Sequence, residues 1–185
     1  MNNIIKKLNL GSGNDIKDGY VNIDFKQSQG VDVVHDLNKF PWPFADKIFN
    51  EIIAENVVEH LDNFVLTMEE IHRISQSDAL IKISVPYWNS SYAYIDPTHK
   101  RGFHEHTFSF FDPDSDYCKE RFYYSNARFK IKSFSFIIAP FAPYFVLPFM
   151  KNIEIKNKIL IKIVGILGNL FSNIILELRM ELKRV

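Results

Sequence analysis

The chain has 185 residues with 22 basic and 22 acidic side chains, and its formal net charge of zero argues against broad, salt-driven nucleic-acid binding. Hydrophobic residues make up 46% and aromatics 15%, with 17 Phe, which excludes a disordered chain and suits a single domain, residues 1–185, around one sizeable core. Cys118 is the single cysteine, so an internal disulfide is excluded; with no long apolar stretch in MNNIIKKLNLG, a cytoplasmic protein is expected.

In chain order, residues 7–10 and 21–25 read as short buried strands, 31–34 as a third and 51–54 as a fourth. The intervening NKFPWPFAD (38–46) carries two prolines and is a loop. Asp62 is expected to cap a helix running to about residue 75, because Phe64, Val65, Met68, Ile71 and Ile74 fall at helical spacing. ALIKISV (79–85) reads as a strand ended by Pro86, followed by a long aromatic and polar insertion over 86–128. Residues 129–139 are a further strand candidate, and the prolines at 140, 143 and 148 break the next stretch. A C-terminal helical segment over 151–173, with regular helix from about 152 to 170, precedes a final strand in ILELRMELKRV. Strands alternating with helices predict an α/β sheet with both faces covered.

The glycine loop in LNLGSGNDIKDGYVNIDF (8–25) is the first candidate site. A glycine turn after a strand lets a ligand approach the backbone, and an acid ending the next strand can accept from both ribose hydroxyls. Gly11, Gly13 and Asp24 fit that arrangement; a tight turn followed by a surface aspartate is the plain alternative. A dinucleotide fingerprint wants a third glycine where Ile16 stands and an acid about 20 residues on, after a full helix. Asp24 comes 13 residues after Gly11, so any helix between them is reduced to about one turn, and KQSQG leaves no room for the next. After the third strand, Asp36 can accept from an adenine amino group and the Leu37 N–H can donate to a ring nitrogen, unless Asp36 simply caps a turn. Glu55 and Asn56 lie at the carboxyl end of the fourth strand, the edge over which ligands sit in open α/β sheets, with Glu59 and His60 following in a turn or short helix.

The order of glycine loop, ribose acid, adenine acid, NVVEHL, capped helix and ALIKISVP resembles the class I S-adenosylmethionine-dependent methyltransferases over roughly residues 7–138. It is most similar to the small bacterial and archaeal branch, methyltransferase type 11-like, often found among polysaccharide genes. The resemblance implies a Rossmann-like, mostly parallel sheet of about seven strands with an antiparallel C-terminal strand. It also implies S-adenosylmethionine as cofactor and S-adenosylhomocysteine as product. Gly11 and Gly13 would border the methionine part, Asp24 the ribose, Asp36 and Leu37 the adenine, and Glu55 and Asn56 the transferable methyl. Asn9 stands where the family tends to carry an acid supporting the loop, Asp15 where it carries a third glycine, and Ser77-Asp78 where it carries a Pro-Gly or Gly-Gly turn.

The insertion PYWNSSYAYIDPTHKRGFHEHTFSFFD (86–112) follows the fifth strand at the same sheet edge, and DPTHKRGF resembles a recurrent segment of that branch. Aromatic faces can stack on a sugar or a base while polar groups orient hydroxyls. Tyr87, Trp88 and His106 are candidate acceptor-binding residues, with Lys100 and Arg101 for an anionic acceptor. A hydroxyl acceptor calls for a base near neutral pH, and His99 oriented by Asp96 is the first candidate, His104 the next. The alternatives are that Asp96-Pro97 starts a turn, that the aromatics form a lid's own core and that the histidines are surface residues. His104 and His106 with Asp96 or His99 offer metal ligands, but their spacing matches no zinc signature, and no metal is expected.

Residues 159–176 are apolar but interrupted by Lys162, Asn169, Ser172 and Asn173, which predicts a buried or partner-facing helix rather than a spanning one. It would cover the sheet where the early helices are missing or form a homodimer contact; a peripheral membrane contact through its lysines is the alternative. The expected function is methyl transfer to a hydroxyl on a sugar, glycan precursor or other small molecule. The rivals are a non-catalytic module that keeps the cofactor cleft and, further off, a nicotinamide-dependent oxidoreductase.

Overall fold

Residues 6–138 and 152–185 are described by the computed structural model of the chain. In order they form β1 (Lys6–Leu10), β2 (Val21–Asp24), β3 (Val33–Val34), β4 (Phe49–Glu55), α1 (Phe64–Ile74), β5 (Ser75–Pro86), α2 (Tyr92–Ile95), α3 (Asp116–Glu120), β6 (Phe129–Ile138), β7 (Ile153–Ile155), α4 (Lys158–Leu170) and β8 (Glu177–Arg184). One sheet holds all eight strands in the order β3-β2-β1-β4-β5-β8-β6-β7. The first five strands are parallel, β8 runs antiparallel to both β5 and β6, and β7 antiparallel to β6. The fold class is as expected, with one strand more. Ile153–Ile155 was expected to open the C-terminal helix, yet it pairs with Phe136, Ile137 and Ile138. Asn157 then starts α4, its side-chain oxygen accepting from the N–H groups of Ile159 and Leu160. Ala139, the prolines at 140, 143 and 148, and Lys151 lie outside the described residues.

The core lies on one side of the sheet. Leu8, Leu10, Ile52, Ile81, Ile83, Leu178 and Met180 point to the side where α1 packs Met68, Ile71 and Ile74, and each of these is at most 1% exposed. Burying each such side chain contributes about 1.5–3 kcal/mol. The cap of α1 is Asn63, whose side chain accepts from the Leu66 N–H, not Asp62. Asp62 instead donates its own N–H to the Asn38 side chain, and its carboxylate lies 3.3 Å from Lys100.

The opposite side corrects the expectation of a sheet covered twice. Strand residues alternate across the pleat, and the second set here is polar: Lys7 and Asn9 on β1, Glu51 and Glu55 on β4, Lys82 and Ser84 on β5, with Arg179 and Glu181 on β8. They bind one another across strands. Lys7 and Lys82 pair with Glu51 at 2.9 and 2.7 Å, Lys82 stands opposite Glu181, and Ser133 donates to Glu181 at 2.9 Å. The β1–β2, β2–β3 and β3–β4 connections hold no helix. A parallel sheet normally needs cover on both faces because both are apolar; here a charged lattice stands in for the missing helices.

For the same reason α4 does not fill their place. It packs beside β6, where a Cβ on Gly165 would meet Phe136 and one on Gly168 would meet Ile175, and the Asn89 side chain donates to the Gly168 carbonyl. Its expected burial is not observed either: Ile159, Ile163, Ile166 and Leu170 are 49–71% exposed. Among the described residues no helix is long and apolar enough to cross a membrane.

Candidate active site

The carboxyl ends of β1, β2 and β4 open onto a cleft of about 590 Å³. Gly11, Asp24, Phe25, Asp36, Leu37, Asn38, Asn56, Val57, His60, Leu61, Thr98 and Lys100 line it, which brings the glycine loop, both candidate nucleoside acids and part of the insertion to one place. Gly11 turns the chain at φ +59°, and a Cβ there would collide with the Val57 side chain. The loop backbone therefore lies directly against the turn after β4, and only glycine allows both conditions. Asp24, 7% exposed, holds the loop from below: its two oxygens accept from the Gly13 N–H at 2.9 Å and the Lys26 N–H at 3.0 Å. A carboxylate has about four acceptor sites, so each oxygen keeps capacity for a ligand hydroxyl.

Asp36 and Leu37 stand on the far wall. The Asp36 carboxylate accepts from the Asn38 N–H, and the Leu37 carbonyl accepts from the indole of buried Trp42 at 3.0 Å. Trp42 is itself fixed through Glu70, which accepts the Trp42 N–H and pairs with Arg73. The proline loop is thus a strut from α1 to this wall. Phe25, 76% exposed, adds an aromatic face beside Asp24. It was absent from the expected site; its signal was a bulky apolar residue just past the acid, where the strand ends.

Four expected cofactor residues are placed in different ways. Asn56 lines the cleft in a left-handed conformation, φ +50°, with its N–H bound to the Ser84 carbonyl. Such a conformation in a non-glycine residue is uncommon and clusters at functional sites. Glu55 points to the open sheet face, where it pairs with Lys17 at 3.0 Å. Asn9 is buried beneath the loop, and its amide donates to the Asp15 carbonyl and the Asn22 side chain. It braces the glycine turn by neutral hydrogen bonds rather than facing the cleft. Gly13 reaches the site through its N–H on Asp24, not as a cleft-lining residue.

The insertion is rearranged relative to expectation. Asp96 does not bind His99. Its carboxylate accepts from both the N–H and the hydroxyl of Thr98, at 2.8 and 2.7 Å, and Thr98 in turn faces His60 Nδ1 at 2.8 Å. His99 Nδ1 faces the Ala93 carbonyl at 3.2 Å, and its ring lies 4.6 Å from that of His60, edge to face. Arg101 is structural, its guanidinium donating to the carbonyls of Leu61 and Asp62. Tyr87 is fully buried with its hydroxyl on Glu105, so it offers no stacking face. His104 caps the turn after it, accepting from the His106 N–H on Nδ1, and stacks with His106. Trp88, Tyr92 and Tyr94 keep 36%, 42% and 71% of their surface exposed, and Lys100 lines the cleft.

Glu59, named only in passing by the sequence, lies with His60 and His99, one ligand atom from each within 4.8 Å of the others. It is 0% exposed and neither carboxylate oxygen has a hydrogen-bond partner. Burial pushes its pKa up to about 7. Burial also holds His60 below the ordinary imidazole value, helped by the neighbouring His99.

No family model and no curated protein matches this sequence. Solved structures do match its fold. One is a SAM-dependent methyltransferase from Archaeoglobus fulgidus, 19% identical, with a TM-score of 0.62 over 97% of this chain and 86% of that one. Another is a SAM-dependent methyltransferase from Thermotoga maritima, described as a possible histamine N-methyltransferase: 12% identical, TM-score 0.58, over 95% of this chain and 80% of that one. The fold of this chain is therefore that of the class I S-adenosylmethionine-dependent methyltransferases.

Proposed function

We propose that the chain is an S-adenosylmethionine-dependent methyltransferase acting on a hydroxyl of a small molecule, a sugar or glycan precursor by preference. The observation that carries the reading is one cleft lined by Gly11, Asp24 and Asp36, at the sheet edge where this fold type binds its ligands. The residues present fit the donor. The cleft's volume falls in the range of roughly 300–1,000 Å³ common to small-molecule sites. Gly11 lines the cleft with bare backbone, Asp24 has acceptor capacity for the ribose hydroxyls, Asp36 for the adenine amino group, and Phe25 offers a face for the base. Asn56 borders the methionine end. When bound, S-adenosylmethionine supplies an electrophilic methyl on a sulfonium, a donor already reactive enough to need little covalent help.

What the chain then does is orient. Alignment of reacting groups can supply several kcal/mol, up to about 7–11 in ideal cases. The Trp42–Glu70–Arg73 strut fixes the adenine wall, and the Asp96–Thr98–His60 chain fixes an imidazole on the cleft. His60 thereby stands at the cleft with its Nδ1 turned to Thr98 and its other ring nitrogen left over. Exposed Trp88, Tyr92 and Tyr94 supply stacking faces of the kind that suit a sugar ring, and Lys100 a cation for an anionic one.

Titration calorimetry with S-adenosylmethionine and, separately, with a nicotinamide dinucleotide tests the donor. We expect binding of the first only, weakened at least tenfold by Asp24→Ala; tighter binding of the dinucleotide overturns the reading. Methyl transfer from labelled donor to candidate sugars then separates an enzyme from a non-catalytic binder.

We also propose that α4 meets anionic lipid, which would bring the cleft to lipid-linked acceptors. Its support is the exposed apolar row Ile159, Ile163, Ile166 and Leu170, together with Lys158 and Lys162 and the absence of any acid from 155 to 176. Cosedimentation with vesicles that depends on anionic lipid and is lost in Ile163→Glu supports it; concentration-dependent dimerisation abolished by the same substitution overturns it in favour of a second copy.

A further inference from the structure

We propose that Glu59, His60 and His99 form a binding site for a divalent transition-metal ion in the wall of the cleft. The donor set is two imidazoles and one carboxylate, the three-ligand composition of open zinc sites, which leave a fourth position for water or substrate. One ligand atom from each already lies within 4.8 Å of the others, and an ion bound at about 2.1 Å holds tetrahedral ligands roughly 3.4 Å apart, a closure within reach of side-chain rotation.

Two independent features point to a ligand here. The first is tautomer control. Thr98 spends its hydroxyl proton on Asp96, so His60 Nδ1–H must donate to Thr98; the Ala93 carbonyl can only accept, so His99 Nδ1–H donates to it. In the neutral ring that leaves Nε2 bare on each. Metal-binding histidines are prepared in this way, the second nitrogen donating to a carbonyl or to a carboxylate-linked group. The second is Glu59, fully buried with both oxygens unpartnered. Neither protonation state explains it. An ionised carboxylate there lacks a counter-charge, and a neutral one still lacks a partner for its O–H; buried polar groups without partners are rare and call for an explanation. An ion supplies it.

The neighbouring cluster His104, Glu105 and His106 lacks these features. Glu105 accepts from the Tyr87 hydroxyl, and His104 Nδ1 accepts from the His106 backbone, so its donors are already committed. Of the three proposed ligands, His60 lines the cleft, which puts the site beside the space where an acceptor would enter. Imidazole with one carboxylate favours zinc, with cobalt(II) as its spectroscopic substitute.

The site does not depend on the methyl-transfer reading, and its test reads metal alone. The full chain, stripped with a chelator, is titrated with cobalt(II) and followed by visible absorption and by calorimetry. We expect one ion per chain, bound at micromolar concentration or tighter with the band of a low-coordinate imidazole site. His60→Ala, His99→Ala and the near-isosteric Glu59→Gln should each weaken it at least tenfold, while His104→Ala leaves it unchanged. Circular dichroism identifies any variant that fails to fold, and Glu59→Gln decides in that case, because it keeps the side chain's shape. No uptake, or uptake equal in wild type and Glu59→Gln, or uptake lost in His104→Ala instead, overturns the site.

Discussion

Gly11 and Asp24 together set the shape of the cleft floor, and each makes a separate prediction. At φ +59° and against Val57, Gly11 has room for no side chain. Gly11→Ala should cost about 1–3 kcal/mol in urea unfolding, the scale of a strained backbone residue, and abolish donor binding in calorimetry. Asp24→Ala removes the hydrogen bonds of the Gly13 and Lys26 N–H groups, each worth about 0.5–1.5 kcal/mol, and should lower both stability and donor affinity. The placing of Asp24 and Asp36 on one cleft was legible because both stand at or just past strand ends. The roles of Asn9, Arg101 and Tyr87 were not, because each is decided by partners far along the chain: Asn22 for Asn9, the carbonyls of Leu61 and Asp62 for Arg101, Glu105 for Tyr87. A polar residue's type does not reveal whether its hydrogen bonds are spent on the fold or kept for a ligand. Asp96 carries the same lesson, since a hydroxyl two residues away outcompetes the histidine three away.

At the scale of elements, β8 states the design most plainly. Leu178, Met180 and Leu182 are buried, while Arg179 and Glu181 between them are exposed. Leu178→Ala should cost about 2–5 kcal/mol in urea unfolding, whereas Lys183→Ala, opposite Leu80 on the polar face and paired with Asp78, should cost less than about 1 kcal/mol. The alternation of this strand was visible in ELRMELKR. Short crossovers and the polar residues Lys7, Glu51 and Lys82 carry the same message for the rest of the sheet: no helix covers that face. Glu51 also sets a pH dependence. Burial raises its carboxyl, but bonds from Lys82 and Lys7 outweigh that and leave it below the ordinary value. A lowered carboxylate stabilises the fold above its unfolded value and loses that contribution as pH falls through the folded one. Wild-type unfolding free energy should therefore fall on moving from pH 7 to pH 3, and Glu51→Gln should be less stable at pH 7 and show a shallower fall. Unfolding curves at the two pH values check both. The helix forecast over Ile153–Ile155 erred because three residues fix no period; pairing with β6 decided them.

For the whole molecule, the sheet edge gathers what the sequence scatters. Residues 11, 24, 36, 56 and 98 come from five separate segments and line one cleft. The order of the motifs made that convergence legible, while the acceptor side was less so, because an insertion without regular spacing carries no period from which to place its histidines. A crystal structure of the full chain with S-adenosylhomocysteine tests the central claim most directly. The account predicts the ribose on Asp24, the adenine between Phe25 and Asp36, and the amino-acid end at Gly11 and Asn56. A ligand seated instead on the polar sheet face near Lys82 and Arg179, or a cleft that stays empty at saturating ligand, would contradict it.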